Sequence, residues 1–425
     1  MADGTLSPLP RVAVGRHLSS ESVNLDNYRM WVGDPLIDEI RDLSKDLRGL
    51  RICQVNATAA GGGVAELLSR IIPVHLALGI TSDWRLIYGD KDFFTITKSF
   101  HNALQGAELR LTAETKHAYR EHNRISAEML PDDYDVFIIH DPQPAALRHF
   151  KNSARGHKWI WRCHIDSSEP NHEVWEFLHP YIQEYDAAVF TMKAFQPADL
   201  DIGRVVFIPP AIDPVSTKNM DLPLEVCRRA VAEMGIDLRR PLVVQISRFD
   251  PWKDPLGVIR AYRLAKERIP KIQLAMIGAM AGDDPQGWAI LDQINAEAVD
   301  DPDLFVFTNL TGVGNMEVNA FQRAADVILQ KSIREGFGLV VAEAFWKSRP
   351  VVAGRAGGIP LQFPAGYEDY LVESVDDCAA KLLFLLEHRD FAESFGRAGQ
   401  ANIRTNFLLP RLIRDELRLI RDVMD

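Results

Sequence analysis

Cysteine is scarce in this chain. Four occur in 425 residues, Cys53, Cys163, Cys227 and Cys378, far apart and with no C-x-x-C pair. Such spacing excludes a disulfide framework and a cysteine zinc module, and a reduced, cytoplasmic protein fits it best. Long apolar runs are missing too; none approaches the ~18–20 residues of a membrane-spanning helix. Met1 to Arg11 carries acidic and proline residues and no apolar stretch, so it does not read as a signal peptide. Basic charge is in deficit, with 48 Lys and Arg against 59 Asp and Glu and a net charge of −11. That argues against a nucleic-acid partner or an anionic membrane surface, while leaving room for a local basic pocket. No fixed-period repeat of about 20–50 residues points to a solenoid, and no tract is of low complexity. What remains is ordinary globular composition, 47% hydrophobic, in a chain long enough to build substantial cores and two or three domains.

Short β-branched runs alternate with segments of helical period. Strands are expected at Arg51–Asn56, Trp84–Tyr88, Asp135–His140, Lys158–Cys163, Asp186–Thr191 and Val205–Ile208. A second series is expected at Pro241–Ser247, Ile272–Gly278, Leu304–Thr308, Asp326–Gln330, Pro350–Ala353 and Asp369–Val372. Several are apolar without alternation, as strands buried on both faces are, and the alternation with helices implies parallel sheets with right-handed crossovers. Ile208 to Pro214 is too proline-rich for a helix or a central strand and reads as a linker. A new series starts near Leu224. The expectation is an α/β protein of two doubly wound domains, residues 1–213 and 214–409, with a ligand cleft at the carboxyl ends of the strands. Tyr28 to Leu50 has helical period, and Arg11 to Leu18 reads as an extra strand or an extended arm. Residues 410–425 form a terminal helix, with Leu412, Ile413, Leu417 and Ile420 at helical spacing and a docking surface that the sequence leaves open.

Four motifs carry chemistry. Gly61, Gly62 and Gly63 stand between a strand and a helix, where glycine lets a ligand approach the backbone and the helix start offers unpaired N–H groups. This suits a diphosphate; a plain flexible turn is the alternative. The three are not the spaced G-x-G-x-x-G of nicotinamide or flavin sites. Arg248 and Lys253 follow the first strand of the second domain and together can hold a diphosphate and stabilise a leaving group; the alternative is two surface cations on a turn. Glu335-Gly336-Phe337-Gly338 follows another strand, with Glu343 eight residues on in an apolar helix, where an acid needs a partner. His140-Asp141-Pro142-Gln143 and Trp161-Arg162-Cys163-His164-Ile165-Asp166 end two neighbouring strands, a set able to read several hydroxyls. A satisfied core histidine is the alternative for either imidazole. A zinc site from His140, Asp141, His164 and Asp166 matches no specific spacing, so no metal is expected. Asp133-Tyr134-Asp135 has a D-x-D form but precedes its strand, so it reads as a surface turn.

The Gly-rich loop, the R-x4-K of Arg248 and Lys253 and the E-x7-E of Glu335 and Glu343 resemble, in this order, retaining family 4 glycosyltransferases of GT-B fold. Lys91-Asp92-Phe93-Phe94, His101 to Gly106, His140 to Pro144, Trp161 to Asp166, Gln330 to Gly338 and Gly357-Gly358-Ile359-Pro360 are similar to trehalose synthases of the glycosyltransferring type. That resemblance implies two Rossmann-like domains, the first for the acceptor and the second for a nucleotide sugar such as ADP-glucose or UDP-glucose. It implies transfer of glucose to free glucose, reversibly, giving α,α-trehalose with retention. Retaining trehalose phosphorylases share several of these stretches and are usually longer, so phosphorolysis is the second reading; a two-lobe sugar-binding protein without turnover is the third.

The resemblance also implies roles. Arg248 and Lys253 hold the diphosphate; Gly336, Phe337 and Gly338 present backbone N–H groups to the donor. Glu335 binds donor sugar hydroxyls, and Glu343 binds the ribose. His164 contacts the donor glucose near the reacting carbon, and His140, Asp141, Gln143 and Asp166 surround the acceptor. A front-face displacement needs no protein nucleophile, though Asp166 or Glu335 is the candidate if one exists. No cofactor or essential metal is implied, the partners are small-molecule substrates, and a homodimer is left open.

Overall fold

The computed structural model describes residues 7–14, 24–60, 62–153, 156–280 and 285–425. The chain divides into two compact units, Met1–Pro210 with Pro410–Asp425, and Ala211–Leu409. The division falls inside the proline-rich segment, where Pro209 and Pro210 can continue neither a helix nor a ladder.

Unit 1 holds a six-stranded sheet of β1 (Arg51–Asn56), β2 (Thr81–Leu86), β3 (Val136–His140), β4 (Lys158–Arg162), β5 (Ala187–Phe190) and β6 (Val205–Phe207). Unit 2 holds β7 (Leu242–Ile246), β8 (Gln273–Gly278), β9 (Leu304–Thr308), β10 (Val327–Gln330), β11 (Val351–Gly354) and β12 (Leu371–Val372). All pairings within both sheets are parallel. The central strands are buried throughout, β3 and β7 at every position, because crossover helices cover both faces. The protein is thus α/β, with two doubly wound parallel sheets.

Strand order decides where ligands can bind. It runs β2-β1-β3-β4-β5-β6 in unit 1 and β12-β11-β10-β7-β8-β9 in unit 2. The chain therefore leaves β1 in one direction and returns to its other side at β3; it does the same at β7 and β10. At such a reversal the two following loops diverge and open a crevice beyond the carboxyl ends of the strands. His140 ends β3 and Asp141 follows it; the loops after β7 and β10 carry Arg248, Lys253 and Glu335.

Two segments differ from expectation, and the arm near Arg11 is described in part. The second strand starts at Thr81 rather than Trp84 and ends at Leu86, pairing Arg51 with Thr81 through Asn56 with Leu86. It is an edge strand whose Thr81-Ser82-Asp83 start shows no apolar signal, and buried Asp83 accepts from the Tyr134 hydroxyl at 2.7 Å and pairs with Arg11. Along its outer edge, Val12 donates to Trp84 O at 2.8 Å and Leu86 to Pro10 O at 2.9 Å, so residues near Arg11 make a short antiparallel bridge. Positions 15–18 of the expected arm lie outside the described residues. The expected helix over 28–50 spans Arg29–Asp46 and is broken at Gly33, where φ is 75°.

The terminal helix spans Leu409–Met424 and groups with unit 1 from Pro410 onward. Leu412, Ile413, Leu417 and Ile420 are fully buried, and Arg411 donates to the carbonyls of Pro209 and Pro210 at 2.8 and 3.1 Å. Among the described residues no helix is long and apolar enough to cross a membrane. Truncating Leu417 to Ala removes a fully buried side chain and is expected to cost roughly 2–5 kcal/mol. Urea denaturation checks this, and an unchanged midpoint would show that the helix does not hold unit 1 together.

Candidate active site

In unit 2 the loop after β7 is built by local capping. The Asp250 carboxylate accepts from Trp252 N at 2.8 Å and opens a single turn over Pro251–Lys253. Asp254 sits at φ 45° and caps the next helix, Pro255–Arg268, by accepting from Gly257 N at 3.0 Å. A Cβ at Gly257 would fall 2.0 Å from that carboxylate, so the cap demands glycine there. The loop after β10 docks on this turn. Ile333 N donates to Trp252 O at 2.8 Å, Lys331 Nζ reaches Asp254 Oδ2 at 2.5 Å, and Lys253 Nζ reaches Glu335 Oε2 at 2.6 Å. Ser332 Oγ lies 3.4 Å from the same Glu335 oxygen and accepts from Gln330 Nε2 at 3.2 Å. Gln245 on β7 holds the Lys253 carbonyl at 3.1 Å.

Two of the sequence candidates, Lys253 and Glu335, are thereby brought together. Arg248 stands apart: its side chain is 52% exposed and meets Asp250 at 3.3 Å. After Glu335, Gly338 takes φ +81° and starts the helix Leu339–Trp346 with no side-chain cap, leaving backbone N–H groups at its open end. A Cβ there would lie 3.0 Å from Ile359 and 3.3 Å from Glu335. Gly358 N donates to Gly336 O at 3.1 Å. The Phe337 ring is buried beside Phe407, and its carbonyl accepts from Gln362, so the ring anchors the loop and only the backbone is presented. Glu343 is buried in that helix, with Lys218 and Gln322 each 3.3 Å from its carboxylate. The partner that an acid in so apolar a helix requires is therefore a lysine from the segment before Leu224. Lys347, buried nearby, donates to Asn219 Oδ1 at 2.9 Å, and burial holds its ammonium well below the usual lysine range.

In unit 1 the polar groups form a buried chain across β1, β3 and β4. His140 Nδ1 meets His164 Nε2 at 2.8 Å, and His140 Nε2 meets Gln54 Oε1 at 2.7 Å. Gln54 Nε2 donates to Glu416 Oε1 at 3.2 Å, and Arg162 Nη1 donates to Glu416 Oε2 at 2.7 Å. Burial, reinforced by the Arg162 charge, pushes both imidazoles below their ordinary range and favours neutral rings. Asp141 adopts φ 63°, a left-handed conformation in which Asp and Asn are over-represented. Its Oδ1 accepts from His164 N at 2.8 Å and its carbonyl from Trp161 Nε1 at 3.0 Å. Burial raises the Asp141 carboxyl to about 7 against the opposing pull of that N–H and of Arg162.

Asp166 is buried and accepts from Ser168 N and Oγ at 3.1 and 2.6 Å. Gln143 is half-buried, its carbonyl taking a hydrogen bond from Asn123 at 3.1 Å. Cys163 is no nucleophile, since burial pushes its thiol up to about 12. Gly62 precedes the helix Gly63–Ala77 without a side-chain cap, and a Cβ there would meet nothing within 4 Å; Gly61 lies outside the described residues. Both nitrogens of His140 are engaged by protein groups, and the described residues contain no group of three or more His, Cys, Asp or Glu able to hold a metal ion. The D-x-D turn is occupied structurally: Asp133 pairs with Arg51 at 2.8 Å and Asp135 caps Arg51 N at 2.8 Å.

Gln54, Glu416, Lys218 and Gln322 were missed by the sequence reading. Gln54 had a signal, as the one polar residue within Ile52-Cys53-Gln54-Val55. Glu416 had one too, standing three residues after Ile413 and four before Ile420 on the apolar face of the terminal helix.

Two doubly wound parallel sheets, each with its polar loops at the chain reversal, define a glycosyltransferase of GT-B fold. A solved UDP-forming α,α-trehalose-phosphate synthase from Burkholderia xenovorans has the same fold, with a TM-score of 0.70 at 17% identity over 89% of this chain and 100% of that one. Residues 54–197 match the trehalose synthase N-terminal domain, and residues 228–402 match glycosyl transferases group 1. The chain belongs to the trehalose synthase family: it is 48% identical to trehalose synthase of Rubrobacter xylanophilus over 94% of this chain and 97% of that one. It is also 30% identical to trehalose phosphorylase of Pleurotus pulmonarius, over 84% of this chain but only 55% of that protein.

The Asp141 carboxyl gives a pH prediction. It releases its proton near its ordinary value of 3.8 when unfolded but holds it to about 7 when folded. Between those values the native state binds more protons, so this group's contribution to stability falls as pH rises. Asp141→Asn lacks that loss, and the buried histidines, common to both proteins, cancel in the comparison. Denaturation midpoints from pH 4 to 7 are expected to shift progressively in favour of the variant; parallel curves would show that Asp141 is ionised throughout.

Proposed function

We propose that the enzyme transfers glucose from a nucleoside diphosphate glucose to free glucose, reversibly and with retention, to form α,α-trehalose. The observation that carries this reading is the Lys253–Glu335 pair at the β7/β10 reversal, an ammonium for phosphate beside a carboxylate for sugar hydroxyls. Unit 2 is assigned the donor. Arg248, half-exposed, and Lys253 take the diphosphate, the N–H groups of Gly336 to Gly338 add to them, and Glu343 is assigned the ribose. Unit 1 is assigned the acceptor, with His140, Asp141, Gln143 and Asp166 reading its hydroxyls; His164 is assigned the donor glucose near the reacting carbon, and Gly62 and Gly63 leave room for the diphosphate.

The chemistry follows from where charge develops. The bond from the anomeric carbon to the diphosphate breaks, and negative charge gathers on the leaving phosphate, where Arg248 and Lys253 stabilise it. The acceptor oxygen attacks the same face, and its proton passes to a phosphate oxygen, so no protein nucleophile forms an intermediate. With two cations on the diphosphate, no metal is assigned a role. Phosphorolysis is disfavoured because the phosphorylase relative is nearly twice as long as the stretch it shares with this chain.

A panel of nucleoside diphosphate glucoses with free glucose, read by NMR of the disaccharide linkage, is expected to give α,α-trehalose with at least one donor and to be unaffected by a chelator. Productive reaction only of trehalose with inorganic phosphate, yielding glucose 1-phosphate, would overturn the donor assignment. Lys253→Ala is expected to lower kcat by about 10²–10³-fold while the protein stays folded; near-normal turnover would remove Lys253 from the chemistry.

A further inference from the structure

The terminal helix does more than fill the core of unit 1. Glu416 is 2% exposed among apolar neighbours, and its carboxylate is shared by Arg162, Gln54 and, at 3.7 Å, His75. A carboxylate that is paired with an arginine can only accept. The Gln54 atom facing it must therefore be the NH2 group, at 3.2 Å, which turns the Gln54 oxygen toward His140 at 2.7 Å. That oxygen can only accept, so His140 carries its proton on Nε2 and leaves Nδ1 with a lone pair. His164 Nε2, 2.8 Å from that lone pair, must then be the protonated nitrogen. Each link has one permitted polarity, and all of them follow from the charge on Glu416.

We propose that Glu416 is a positioning residue: through Gln54 and His140 it fixes the ring protons so that His164 presents Nδ1 as an acceptor for a sugar hydroxyl. This rests on reading His164 as a sugar contact. His75 is the other titratable group against Glu416; at 3.7 Å it makes no hydrogen bond, burial lowers its basicity, and any N–H it turned to Glu416 would leave the carboxylate an acceptor and the polarity of the chain unchanged.

Glu416→Gln tests the polarity directly. Arg162 would hold the oxygen of the new amide, whose NH2 would then face Gln54. Gln54 must turn over, His140 becomes the Nδ1–H form, and His164 Nδ1 changes from acceptor to donor. Nitrogen-15 NMR of the histidine rings of the full chain, with and without the substitution, is expected to show this inversion. The kcat for trehalose formation is expected to fall about 10- to 100-fold, the scale of one unsatisfied buried hydrogen bond. Gln54→Met keeps the Glu416–Arg162 pair and removes the Gln54 bridge between Glu416 and His140, so it decides the matter if Glu416→Gln does not fold; it is expected to give a mixture of His164 tautomers and a similar loss. The NMR measurement does not need turnover, so it stands even if the donor reading fails. His164 remaining Nε2–H in the folded variants, or inverting with no change in kcat, would overturn the proposal.

Discussion

A lysine and a glutamate separated by 82 positions in sequence meet at 2.6 Å, and the proposed donor side of this enzyme depends on that contact. It exists because β7 and β10 are neighbours although two strands intervene between them in the chain. The loops that follow them converge, and capping by Asp250 and Asp254 holds the lysine turn in shape. The Lys253 and Glu335 side chains are 15% and 12% exposed, so both ions have given up most of their water. A pair so buried contributes little net stability. Its geometry suits the proposed nucleotide sugar instead: a cation for the phosphate that would leave and a carboxylate for the hydroxyls of the sugar that would be transferred.

Unit 1, as the proposed sugar-reading side, answers a different requirement. Reading the hydroxyls of a neutral sugar needs donors and acceptors of fixed direction rather than charge. The imidazoles are neutral through burial, and the one strong ion pair of their network, Arg162 with Glu416, lies behind them. Charge is thus placed where it can orient a chain of hydrogen bonds. The terminal helix carries the anion, so the segment that follows unit 2 in sequence completes the interior of unit 1. Asp141 adds rigidity by accepting from the backbone of His164 in a conformation that few other residues adopt.

Much of this was legible in the residues. Unbroken apolar runs such as Phe137-Ile138-Ile139 and Val243-Val244 can only be strands covered on both faces, and their alternation with helices implies parallel order. The prolines from Pro209 to Pro214 mark the division because proline suits neither helix nor ladder. The start of edge strand β2 reads three residues late because its first three residues are polar. Lys253 and Glu335 could be named as candidates, but their contact depends on which strands neighbour which, and no local pattern carries that. Glu416 escaped for the opposite reason: one acid on an apolar helix face is visible, but its partners lie on β1, β4 and the helix Gly63–Ala77, more than 250 positions away. Lys218 likewise reaches Glu343 from a segment with no motif of its own.

The central claim is that the Lys253 ammonium is held beside Glu335 to receive the leaving diphosphate. A crystal structure with a nucleoside diphosphate bound tests it most directly. The account predicts diphosphate oxygens within hydrogen-bond distance of Arg248 and Lys253, with Glu335 left facing the position of the sugar. A diphosphate seated elsewhere, with Lys253 bonded to Glu335 alone, would contradict it.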